Sequence, residues 1–146
     1  MMTERGRPKR VLILCTGNSA RSQMAEGLLR DLGREDFEVV SAGVEPSYVR
    51  PEAIEVMNEI RMDISTHRSK SVNEFLNQEF DYVITVCDNA NARCPVFPGQ
   101  ARRIHWSIED PAAAKGNDEM RLASYRKARD ELQVRLGEFV GAERET

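Results

Sequence analysis

The chain has 146 residues, enough for one domain with one hydrophobic core. Charged residues make up 31% and hydrophobic residues 40%, the balance of a globular protein rather than a disordered one. A net charge of -3 argues against a general nucleic-acid binder. The early apolar run Val11 to Leu14 is far too short for a membrane span or a signal sequence, so a cytoplasmic protein is expected.

Residues 1–10 are basic and turn-prone, and read as a flexible tail ahead of a domain over 11–141. Val11 to Cys15 is a short apolar run, as expected of a strand covered on both faces. Ser22 to Leu32 carries Ala25, Leu28, Leu29 and Leu32 at helical spacing, with Gly33 as a stop. Phe37 to Ser41 reads as a second strand. Pro51 opens a helix with Ile54, Met57 and Ile60 toward the core, and Val72 to Leu76 a shorter one. Tyr82 to Val86 and Ile104 to Trp106 are further strands. A long helix closes the chain, with Leu122, Tyr125, Ala128, Leu132 and Phe139 on its buried stripe. The alternation predicts an α/β, single-domain, three-layer fold around a four-stranded parallel sheet. Ligands in such folds sit beyond the C-terminal ends of the strands, which places Cys15, Cys87 and Asp110 near one edge.

The segment Cys15-Thr16-Gly17-Asn18-Ser19-Ala20-Arg21-Ser22 joins the first strand to the first helix. A loop of this length can curl its backbone N–H groups around one centre and bind an anion there. The helix that follows adds unpaired N–H groups and a positive dipole end. Gly17 permits the tight backbone, and Arg21 offers a planar fork for two oxygens of a tetrahedral anion. The same surroundings favour a thiolate at Cys15, a nucleophile aimed at the centre of the bound oxyanion. Ser22 either hydrogen-bonds that thiolate or caps the helix.

Cleaving a bond to an oxygen leaving group needs a proton donor. Glu109-Asp110-Pro111 follows the fourth strand, with Asp110 the preferred acid and Glu109 the alternative. Cys87 ends the third strand and Cys94 follows seven residues later. Two cysteines so close together, beside a predicted nucleophile, read as a redox pair. Their spacing does not suit zinc, and His67 and His105 read as structural. Were 88–94 one helix, the two Cα atoms would be about 10.5 Å apart along its axis. A disulfide tolerates at most about 7 Å, so such a helix must unwind before the pair can close.

Taken together, the chain resembles the thioredoxin-coupled arsenate reductases, which share the fold of the low-molecular-weight protein tyrosine phosphatases. The stretches that carry the resemblance are CTGNSARSQMAEG from Cys15, SAG from Ser41, DISTHRS from Asp63, VCDNANARCP from Val86 and HWSIEDPA from His105. The oxyanion loop is common to both groups, so a tyrosine phosphatase is the alternative; the Cys87, Cys94 and Pro95 set belongs to the reductases. The resemblance implies Cys15 as nucleophile, Arg21 and the loop amides as arsenate ligands, and Asp110 as acid. It also implies a Cys15–Cys87–Cys94 relay regenerated by thioredoxin, with no bound cofactor, no nucleic-acid or membrane partner, and a monomeric chain. Some relatives hold a monovalent cation beside this loop. Asn18, Glu26 and Ser41 match that site, whereas Arg68 and Lys70 stand where a neutral or acidic ligand belongs, so no metal is expected.

Overall fold

A computed structural model describes residues 6–144. The elements run β1 (Lys9–Cys15), α1 (Arg21–Gly33), β2 (Phe37–Gly43), α2 (Pro51–Asn58), β3 (Tyr82–Thr85), α3 (Asp88–Ala92), β4 (Arg102–His105) and α4 (Asp118–Arg144). The strands form one parallel sheet in the order β2-β1-β3-β4. Alternate strand residues point to opposite faces, and Val11 to Leu14 are all 0% exposed. Both faces of the central strand are therefore covered, which makes the fold the expected three-layer one. On one side α1 packs against β1 and β2 and against α4, which also meets α2; α3 lies on β1 and β3.

Several boundaries differ from the sequence expectation. β1 begins at Lys9 because Lys9 and Arg10 already pair with Phe37 and Glu38, so these two residues belong to the sheet rather than to a tail. The first five residues of the expected tail lie outside the described residues. At the other end α4 runs to Arg144, past 141. Gly33 is not the left-handed stop of α1. It keeps helical dihedrals, and Arg34 takes the positive φ of 50°. Gly33 is needed for space instead, since a Cβ there would lie 2.6 Å from the Phe37 ring.

Pro51 does open α2, but the buried face is Ala53, Val56 and Met57. Ile54 is only partly buried, and Ile60 falls beyond the helix. The segment from Val72 is a 3₁₀ turn over Val72–Phe75, capped by Ser71 onto the Asn73 amide. On α4, Tyr125, Ala128, Leu132 and Phe139 are buried as expected, joined by Leu136, Val140 and Arg129; Leu122 is only partly buried. Arg129 tolerates burial because it donates to the Val56 carbonyl and pairs with Glu59 and Asp130.

The sheet order does the decisive positioning. β1 is flanked by β2 and β3, so the chain leaving β1 emerges where the connections diverge to opposite sides, the usual ligand crevice of an open parallel sheet. β3 pairs in register with β1, Thr85 opposite Leu14, and the Val86 amide donates to the Leu14 carbonyl at 2.9 Å. Cys15 and Cys87 therefore leave neighbouring strands within one residue of the same level of the sheet.

Candidate active site

The loop from Cys15 to Ser22 is shaped from outside. The amides of Val44, Glu45, Ser47 and Arg50 donate to the carbonyls of Cys15, Thr16, Gly17 and Ser19, at 3.2, 2.8, 3.0 and 2.9 Å. Gln23 Nε2 reaches the remaining carbonyl, that of Asn18, at 3.2 Å. In a trans peptide the N–H points opposite to the preceding C=O. Turning five successive carbonyls outward thus turns the N–H groups of Thr16 to Ala20 toward the opposite, concave side. That is the geometry of an anion-binding nest. The segment 44–50 was not assigned a role from the sequence, because it carries no distinctive side-chain pattern; it acts through its backbone.

Two residues make this curl possible. Asn18 takes a left-handed φ of 48°, a conformation asparagine tolerates better than most residues. Gly43, at the end of β2, lies so close behind the loop that a Cβ would sit 2.6 Å from the Thr16 oxygen and 2.8 Å from the Asn18 nitrogen. Both neighbours are backbone and cannot move aside. The glycine that ends the Ser41-Ala42-Gly43 run is thereby explained by contact with the loop.

Asn18 is fully buried and its amide orientation is fixed by its partners. Oδ1 accepts from the Lys70 amide and Gln23 Nε2, both at 2.9 Å. Nδ2 donates to Ser22 Oγ at 2.7 Å and Ser41 Oγ at 3.0 Å. Ser22 Oγ in turn lies 2.8 Å from Cys15 Sγ. A hydroxyl that already accepts from Asn18 has its one proton free for the sulfur, an arrangement suited to a thiolate. Of the two roles open to Ser22, the contact to sulfur is the one present; the N-cap of α1 is Ala20, with no side-chain cap.

The same network ends in Glu26, which accepts from Ser41 Oγ at 2.5 Å and pairs with Arg30 at 2.8 Å. Lys70 Nζ stands 3.9 Å from Glu26, with only 12% of its side chain exposed. Burial pushes its ammonium below the usual lysine range, and Glu26 opposes that shift. Lys70 Nζ also donates to the Arg68 carbonyl at 3.1 Å, while the Arg68 guanidinium turns away to Glu74. Among the described residues there is no cluster of three or more His, Cys, Asp or Glu able to hold a metal ion.

Arg21 leans from the start of α1 onto the loop after β4. Its Nη1 donates to the Ile108 carbonyl at 2.9 Å and its Nη2 lies 3.8 Å from Asp110 Oδ2. Asp110 also caps the turn after it, through Oδ1 and the Ala112 amide at 3.0 Å. Glu109 faces Lys127 instead, at 3.7 Å, so of the two candidate acids only Asp110 is paired with the loop arginine.

Cys87 is buried and sits at the N-cap of α3. Its Sγ receives the Ala90 amide at 3.4 Å and lies 3.3 Å from Thr16 Oγ1, one residue beyond Cys15. Asn89 Nδ2 donates to that same Thr16 oxygen at 2.9 Å. α3 stops at Ala92, shorter than the 88–94 helix expected, and Cys94 lies beyond it, half-buried. The helix is tied down by Asp88 to His105 at 2.9 Å, by Thr85 to Asn91 at 3.3 Å, and by Arg93 to Glu45. His67 and His105 are both bonded structural groups, to Gln23 and to Thr85 and Asp88.

A cysteine at the head of a nest-shaped loop, at the switch point of a parallel sheet and with an aspartate on the facing loop, is an arrangement able to hold a tetrahedral oxyanion against a sulfur. The chain belongs to the low molecular weight phosphotyrosine protein phosphatase family, whose model matches residues 10–145. An arsenate reductase of Halalkalibacterium halodurans is 43% identical over 131 residues, which cover 90% of this chain and 94% of the relative. An arsenate reductase solved in its oxidised state superposes with a TM-score of 0.78 and 32% identity, covering 92% of this chain and 98% of the other. A low molecular weight protein tyrosine phosphatase from T. tengcongensis superposes with a TM-score of 0.75 and 28% identity, covering 92% and 99%.

Proposed function

We infer that this chain is an arsenate reductase, with Cys15 as its nucleophile and Cys87 and Cys94 as its relay. The observation that carries the reading is the second buried sulfur beside the loop. Phosphate ester hydrolysis needs only the thiolate, the nest and an acid. It has no use for a cysteine at the loop's edge whose chain neighbourhood holds a third.

The steps follow from the groups in place. The nest amides and Arg21 hold arsenate while the Cys15 thiolate attacks arsenic(V). Asp110 protonates the oxygen that leaves as water, giving a Cys15–arsenic(V) adduct. The Cys87 thiolate then attacks Cys15 Sγ. The sulfur–arsenic bond breaks, its electron pair stays on arsenic, and arsenite departs from a Cys15–Cys87 disulfide. Attack by Cys94 on Cys87 returns Cys15 as a thiolate and leaves a Cys87–Cys94 disulfide. In this last step the drawing of Cys94 toward Cys87 at the N-cap of α3 loosens the ties of the segment to His105, Thr85, Thr16 and Glu45. Its length of five residues and its two asparagines make that inexpensive. An external dithiol protein of the thioredoxin class reduces the disulfide by exchange. Phosphate fits the same nest, is not reduced, and acts as a competitive inhibitor. The test is arsenite release from arsenate with a thioredoxin system, run beside aryl-phosphate hydrolysis. Hydrolysis without arsenite would make the chain a phosphatase.

Lys70 has a role in the same reading. Its ammonium lies where it balances Glu26, the charge at the far end of the network that orients Ser22. With a cation built into the chain, exchanging sodium for potassium at fixed ionic strength leaves arsenate reduction unchanged. Strong activation by potassium would remove this role from Lys70.

A further inference from the structure

Cys94, the third cysteine, shares a carbonyl oxygen with a charged side chain. Cys94 Sγ lies 3.6 Å from the carbonyl oxygen of Pro95, to which its S–H donates. The same oxygen accepts from Nη2 of Arg103, which reaches over from the edge strand β4. Sharing that one oxygen places the thiol and the guanidinium in the same neighbourhood, with Pro95 O between them. Arg93, next to Cys94 in the chain, is engaged elsewhere by Glu45.

We propose that Arg103 is the positioning residue that readies Cys94 for its attack on Cys87. The inference rests on the relay described above. A thiol bonded to a carbonyl is held in its neutral form, and removing the proton there would set a negative sulfur against a negative oxygen. Burial works in the same direction and pushes the Cys94 thiol up, with Arg103 as the opposing influence. Only the thiolate attacks a disulfide. A guanidinium already bound to that oxygen supplies the compensating charge. On exchange, Cys94 gives its proton to solvent and its thiolate bonds to Cys87 Sγ. The Cys15–Cys87 bond breaks, and Cys15 leaves with the electron pair.

The test uses the reduced full-length chain, with iodoacetamide labelling of each cysteine followed by mass as a function of pH. In Arg103→Gln the labelling curve of Cys94 moves to higher pH and its rate near neutrality falls about tenfold, the scale expected for loss of one nearby opposite charge. Arg103→Lys restores most of the rate. The curves of Cys15 and Cys87, and aryl-phosphate hydrolysis, stay as in the parent chain. In a single turnover with arsenate, Arg103→Gln accumulates the Cys15–Cys87 disulfide. A Cys94 curve that superimposes on the parent's, or a shift shared equally by all three cysteines, overturns the proposal. A parent chain that forms no Cys87–Cys94 disulfide on turnover would instead remove the relay on which it rests.

Discussion

Cys87→Ser is expected to abolish arsenite turnover while leaving aryl-phosphate hydrolysis at the parent rate; Cys15→Ser is expected to abolish both. The asymmetry comes from where the two sulfurs sit. Cys15 is the head of the nest, bonded to Ser22 and backed by Asn18, and any chemistry on a bound oxyanion begins there. Cys87 touches the loop only through Thr16. A serine hydroxyl in its place can still accept from the Ala90 amide and meet Thr16, so the loop keeps its shape. What serine cannot do is attack a sulfur and leave as part of a disulfide. The adduct on Cys15 is then stranded before arsenic is reduced. The measurement is arsenite formed per enzyme with thioredoxin, beside p-nitrophenyl phosphate hydrolysis. Parent-level arsenite turnover from Cys87→Ser would remove Cys87 from the reaction.

Asp110→Asn is expected to lower kcat/KM for arsenate by about 10²–10⁴-fold, the usual contribution of a general acid. The substitution removes the acidic proton. Asparagine keeps the carbonyl oxygen that accepts from Ala112, so the turn over Pro111–Ala113 survives. It loses the capacity to protonate the departing oxygen, together with the charge that faces Arg21 at 3.8 Å. Inhibition by phosphate, which reports on the nest and Arg21, stays near the parent value. Glu109→Gln serves as the control and stays near the parent rate, because Glu109 faces Lys127 rather than the loop arginine. Reversal of the two phenotypes would move the acid to Glu109.

The parts of the candidate site that were legible in the sequence are those that rest on side-chain type. A cysteine and an arginine flanking a short glycine-containing turn, an Asp-Pro pair and two close cysteines each announce themselves by residue type and spacing. The strand runs were equally legible, because a strand buried on both faces must be continuously apolar, as Val11 to Leu14 are. What was not legible acts through backbone and space. The outward pull on the loop carbonyls comes from amides of residues 44–50, which any residue except proline possesses. The need for glycine at position 43 arises from a backbone almost thirty residues earlier in the chain. Gln23 and Asn89 are ordinary polar residues on helices until the fold brings Asn18, His67 and Thr16 to them. The end of α1 was misassigned for a related reason. Gly33 and Arg34 are adjacent; the glycine answers to the close approach of Phe37, while Arg34 carries the bend.

Electron flow through three sulfurs to arsenic is the step to check, by intact-mass and peptide mapping of the reduced chain after a single turnover with excess arsenate and no reductant. One arsenite released per chain is expected, with a product two mass units lighter than the reduced chain and a disulfide that maps to Cys87 and Cys94 with Cys15 free. A chain that releases arsenite while Cys87 and Cys94 both remain reduced, or one that stays fully reduced and releases none, would contradict it.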